Sequence, residues 1–227
     1  MLIRFKDLKS LTATTPDGSA HAVTDLFVDN DYKISHVVIT LGSWFSRESC
    51  ALRIEMFGTP DMDESTWPTA VSEADVDAAG CPDSAADNSA SSVALRGAEG
   101  VVVEPRMLSQ RECQLAAVQS AADLHRVGRL QNADVMGTDK IVGTLMDVIV
   151  QTDDWTIASL VIHAGPTDKA HQRVIPVGMV AAIDWEATTT TLTCPKSVVD
   201  KSPELHEIGD KIEGQWHNKV LGYYGLG

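Results

Sequence analysis

Three groupings of side chains have the chemistry to bind or react. His163, Asp168 and His171 flank one loop. Two imidazoles and a carboxylate are a plausible donor set for a divalent metal, but the loop is polar and joins two β-rich runs, so they read as a solvated connection. Carboxylates gather at Asp25, Asp29 and Asp31, and again at Asp147, Asp153 and Asp154. Asp-Asn-Asp is ordinary turn chemistry, because short polar side chains bond their own backbone and tolerate positive φ. The recurrence of these carboxylates at equivalent places favours a structural role. Asp61-Met62-Asp63-Glu64 lacks the glycine and the ligand spacing of a calcium loop. His36 lies in a β-rich run where alternation sets it opposite Val37, half exposed.

No nucleophile stands in a recognisable elbow, since Gly42-Ser43 lacks the second half of G-x-S-x-G. Neither glycine-rich phosphate-binding pattern occurs. Cys50, Cys81, Cys113 and Cys194 are never spaced as C-x-x-C, which argues against a zinc site built from them. Cys50 and Cys194 fall in or beside expected strands and read as small apolar residues. The expectation is a chain with no catalytic residue, no cofactor and no metal. Trp44-Phe45 follows a strand in a loop, where an exposed aromatic pair can anchor a partner or can pack over the end of a barrel. These two are the candidate partner-binding residues.

The elements that would position these residues are announced by a repeat. Residues 25–39 read DLFVDNDYKISHVVI and residues 147–162 read DVIVQTDDWTIASLVI. With one residue inserted in the second copy, Asp25 meets Asp147, Tyr32 meets Trp155 and Val37-Val38-Ile39 meets Leu160-Val161-Ile162. Each copy predicts a hairpin, with strands over 22–28 and 32–40 in the first and over 143–150 and 155–163 in the second. Third strands follow at 51–56 and 172–177. Ala182–Trp185 and Thr189–Thr193 continue the second copy, and Trp67–Val71 is their nearest counterpart in the first. Tyr32 and Trp155 are expected to plug the interiors. Between the copies, residues 78–99 have the Ala-, Ser-, Asp- and Gly-rich composition of a linker. Val101–Val103 could add an edge strand. Residues 109–124 carry a helical apolar stripe and a capping box at Ser109 and Glu112. Residues 203–220 are expected to form a helix or an ordered tail. The domain reading is 1–79, a linker at 80–122, and 123–227 with its tail.

Net charge is -14, and no section is basic. Counterion release from a phosphate backbone needs clustered Lys and Arg, so no direct nucleic-acid binding is expected. No apolar run approaches the ~18 residues of a membrane span. The start, MLIRFKDLKS, has no apolar core of a secretory signal. The expected location is the cytoplasm.

The order of turn, strand, acidic turn, aromatic and β-branched strand resembles the PRC-barrel family. Asp31-Tyr32, Asp154-Trp155, Gly42-Ser43-Trp44, Arg173-Val174-Ile175-Pro176, Leu124-His125-Arg126 and Leu221-Gly222-Tyr223-Tyr224-Gly225 carry the likeness. Arg53-Ile54-Glu55 departs from it, where the family has an apolar run ending in proline. The resemblance implies a mainly β fold of two small antiparallel barrels with a linker helix, in a bacterial protein. It also implies a non-enzymatic adaptor that binds unknown protein partners or forms a homodimer. Two further readings by analogy are an accessory factor in ribosome maturation or RNA metabolism, acting through a protein partner, and an accessory protein of a photosynthetic or membrane electron-transfer complex.

Overall fold

The computed structural model describes residues 1–41, 48–72, 124–164, 171–205 and 214–227. The chain is mainly β and forms two sheets. The first copy supplies β1 (Leu2–Arg4), helix α1 (Phe5–Leu8), β2 (Thr12–Thr14), β3 (Ala20–Val28), β4 (Ile34–Leu41), β5 (Glu48–Arg53) and β6 (Thr66–Pro68). The second supplies β7 (His125–Arg126), β8 (Asp134–Met136), β9 (Ile141–Gln151), β10 (Thr156–Ala164), β11 (His171–Pro176), β12 (Val180–Asp184) and β13 (Thr189–Leu192). Helices α2 (Lys196–Val199) and α3 (Gly214–Tyr224) follow. The expected linker helix, the 101–103 strand, both expected domain boundaries, Cys81, Cys113, Trp44, Phe45 and Asp168 lie outside the described residues.

One sheet runs β5-β4-β3-β2-β6 and the other β11-β10-β9-β8-β13-β12. Strand for strand the orders match, and β12 is the addition. Each sheet contains one parallel pair, β2 with β6 and β8 with β13, so the expected all-antiparallel pairing is corrected to mixed sheets. Neither path closes on itself among the described residues. The expected strand over 51–56 ends at Arg53, and Ile54–Met56 turn into a 3-10 helix, as Val177–Met179 do after β11.

The lead strands change places. β1, from the first copy, pairs with β9 of the second, with Ile3 opposite Val150. β7, from the second copy, pairs with β3 of the first, with Phe27 opposite Arg126. The sequence supports this equivalence, since Leu2-Ile3-Arg4-Phe5 aligns with Leu124-His125-Arg126-Val127 and Leu8 with Leu130.

A matched carboxylate holds each exchanged strand, Asp147 buried and Asp25 half-buried. Asp147 accepts Arg4 Nε–H at 2.9 Å, the Lys6 N–H at 3.2 Å and the Val148 N–H at 2.9 Å. Asp25 accepts the Gly128 and Leu26 N–H groups, each at 2.9 Å. Lys6 and Gly128 are equivalent residues of the two lead segments. Neither carboxylate is turn chemistry, as the sequence suggested; both lie inside strands. Burial pushes both carboxyls above the ordinary range, against the pull of Gly128 N–H on Asp25 and of Arg4 on Asp147. A carboxyl raised on folding adds stability that is fully present below its unfolded value, about 3.9 for Asp, and lost as pH rises through the folded value. Relative to Asp25→Asn, the wild type should therefore gain stability as pH falls into this range. Denaturant midpoints across pH check this, and a gap moving the other way would show a net-stabilised carboxylate.

The C-terminal halves of β3 and β9 are buried on both faces, which explains their unbroken apolar runs. Leu26 and Val28, with Val148 and Val150, point into one core that runs through both sheets. Phe27 and Ile149 point outward into separate clusters, Phe27 with Val38 and Ala51, Ile149 with Val161 and Val174. Leu124 packs on the first cluster and Leu2 on the second, as the exchange requires.

The two copies meet tip to tip at their hairpin turns. The Ile34 N–H donates to the Trp155 carbonyl at 2.6 Å and the Ile157 N–H to the Tyr32 carbonyl at 2.8 Å. Tyr32 and Trp155 both take left-handed backbone, at φ 64° and 56°, which is uncommon for bulky residues. They sit at this junction rather than plugging separate interiors. Trp155 stacks on the buried Trp67 with ring centroids 5.2 Å apart, and Trp67 Nε1–H donates to the Gly58 carbonyl at 2.9 Å. Cys50 and Cys194 are buried in the same core.

Candidate binding cleft at the seam

An open cleft of about 560 Å³ crosses the boundary between the copies. Its first wall is Asn30, in the acidic turn between β3 and β4. Its floor comes from His125 on β7 and Arg129 just beyond. Its far wall is Ala182–Glu186, from the end of β12 and the following turn. The cleft therefore depends on the strand exchange, which carries His125 to the first sheet while β12 stays in the second.

The chemistry of the cleft is a flat ring wall with charges of both signs. His125 stacks on Trp185 with centroids 4.5 Å apart and planes 4° from parallel. His125 Nε2 lies 3.0 Å from Asn30 Oδ1, which fixes the ring edge-on to the first copy. Trp185 is half buried, whereas Arg129 and Glu186 are exposed. Asp184 Oδ1 accepts the Glu186 and Ala187 N–H groups at 3.0 and 2.7 Å. It thus shapes the turn that presents Trp185 and Glu186. An aromatic face flanked by a guanidinium and carboxylates suits a polypeptide partner more than a single small anion.

Other reactive-looking groups are committed to structure. Ser159 Oγ lies 3.1 Å from His217 Nε2 on α3, the distance of a nucleophile and its base. Ser159 is fully buried beneath that helix, and its base rides on the cover. His171 Nδ1 lies 3.0 Å from Glu204 Oε2, and Arg173 pairs with Glu204 Oε1 at 2.9 Å. His171 is therefore turned toward the segment after α2 and away from a shared site with His163. His36 is half buried beside Ser35 and Phe27, and burial followed by the charge of Arg53 lowers its pKa. Asp29 Oδ1 accepts the Asp31 and Lys33 N–H groups, which bears out its reading as a turn residue.

Sequence reasoning missed the cleft. Asn30 stands only in the Asp-Asn-Asp turn, none of Arg129, Trp185 or Glu186 stands in a motif, and they meet only through the exchange. The signal that was there is the likeness of LIRFKDL to LHRVGRL, which marks 124–130 as a lead segment equivalent to 2–8.

The chain matches none of the protein-family models and none of the curated proteins with which it was compared. No helix among the described residues is long and apolar enough to cross a membrane.

Proposed function

We propose that this chain is a non-enzymatic, two-copy interaction module of PRC-barrel type, acting in the cytoplasm on a protein partner held at the seam cleft. In this reading each sheet is a PRC-type barrel completed by the other copy's lead strand. The single observation that carries the reading is the cleft itself, open and built from both copies, with the His125–Trp185 stack as its wall. The commitment of Asp25, Asp147, Ser159, His217 and Glu204 to internal bonds supports it as well. A net charge of -14 favours a partner presenting a basic segment, by steering as much as by contact.

Affinity capture from the native cell, with wild type and cleft variants compared side by side, tests the proposal. A partner retained by wild type should be reduced at least tenfold by Trp185→Ala, as expected of an aromatic anchor that the partner covers. Glu186→Lys, an exposed charge reversal that leaves the core intact, should weaken it too. Equal capture by all three proteins would remove the cleft from the account. Turnover of a substrate that a point mutation in either sheet abolishes would overturn the non-enzymatic reading.

A further inference from the structure

The outer faces of the two sheets are equivalent but differ in one exchange of chemistry. His36 of β4 aligns with Ser159 of β10, and α3 brings its own imidazole, His217, onto that serine. The helix lies over Ile149, Val161 and Val174 through Val220, Trp216 and Tyr224. Apolar contacts make up the underside of the helix. Its polar contacts include the Ser159–His217 bond and the Tyr223 hydroxyl donating to the Val198 carbonyl at 2.7 Å.

We propose that α3 is an acid-releasable cover, latched by neutral His217 on Ser159, and that its release bares the apolar face of Ile149, Val161 and Val174. The neutral ring accepts the Ser159 hydroxyl or donates to it. An imidazolium in the same place would be a half-buried charge needing a counter-ion. Among the described residues, Asp147 is already paired with Arg4, Asp200 with Lys196, and Glu204 with Arg173 and His171. Tyr224 beside it stays neutral, its hydroxyl pushed up to about 12 by burial first of all. His163 on β10, Lys196 on α2, Lys219 on the helix, and Cys194 offer no negative charge at neutral pH. Burial lowers the pKa of His217 below the ordinary histidine value.

The sign follows from linkage. A histidine depressed on folding contributes stability that is complete above its unfolded pKa, about 6.5, and is lost as pH falls toward the folded value. The latch should weaken on acidification within the range where histidine alone titrates. It also follows that Ser159 and His217 cannot work as an open catalytic pair, because uncovering the serine carries its base away.

Hydrogen exchange read by mass spectrometry on the full chain tests this, from about pH 7.5 to about pH 5 with intrinsic rates corrected. Protection of the 214–224 amides should fall several-fold while β9 and β10 keep theirs. In His217→Gln the protection of α3 should no longer depend on pH, and in His36→Gln the wild-type dependence should persist. Unchanged α3 protection in wild type, or the same acid loss in His217→Gln, overturns the proposal. A loss of dependence in His36→Gln would assign the switch to the other outer face and overturn it equally.

Discussion

Gly143→Ala is expected to be among the most damaging single changes in the chain, with a loss of about 3 kcal/mol or more and a fall in Tm of roughly 10 °C. Gly143 lies in β9 opposite Ala164 of β10. A methyl built there meets the His163 carbonyl oxygen at 1.9 Å and its carbon at 2.9 Å. Those atoms are backbone of a paired strand, so they cannot move aside without opening the ladder. Thermal unfolding measures the cost. Gly222→Ala is the control of opposite sign, because its methyl meets nothing within 4 Å and it sits inside α3. Alanine there should stabilise by about 0.5–1 kcal/mol through helix propensity. Equal and small effects at both glycines would mean that β9 and β10 do not approach as described.

Asp147→Ala is the second large effect, with an expected loss of about 3–5 kcal/mol. The carboxylate is nearly fully buried and Arg4 is only 18% exposed. Removing it leaves a guanidinium without its partner and two backbone N–H groups without their acceptor. The result is compatible with a carboxyl raised by burial. The charged pair adds little beyond a neutral core, but half of the pair is worse than either. Asp147→Asn should cost less, because an amide oxygen still accepts from Lys6 and Val148. Urea denaturation with the slope monitored separates these cases. An alanine variant within about 0.5 kcal/mol of wild type would mean that β1 is not held by this contact.

The sequence reading was strongest where the physics is local. Alternating apolar residues and Asp-rich turns placed the β3–β4 and β9–β10 hairpins to within a few residues, because side-chain period and turn chemistry are nearest-neighbour effects. It was weaker where pairing is long-range. The Asp25 and Asp147 side chains were grouped with the turns, although their partners lie more than a hundred residues away at Gly128 and Arg4. Tyr32 and Trp155 were assigned to separate interiors because nothing in either copy alone shows that the copies meet there. Two-residue β7 is too short to be seen by periodicity, yet it fixes where His125 goes. The cleft follows from that placement, so it was invisible for the same reason.

Residue-resolved native-state hydrogen exchange on wild type and Asp147→Ala tests the exchange of lead strands most directly. Because β1 and β7 tie the sheets into one core, β3 and β4 should share their global opening free energy with β9 and β10. All four strands should then lose protection together in the variant, although Asp147 lies in the second sheet. Loss confined to β9, β10 and β1, with β3 and β4 as protected as in wild type, would show two units that stand independently and would contradict the account.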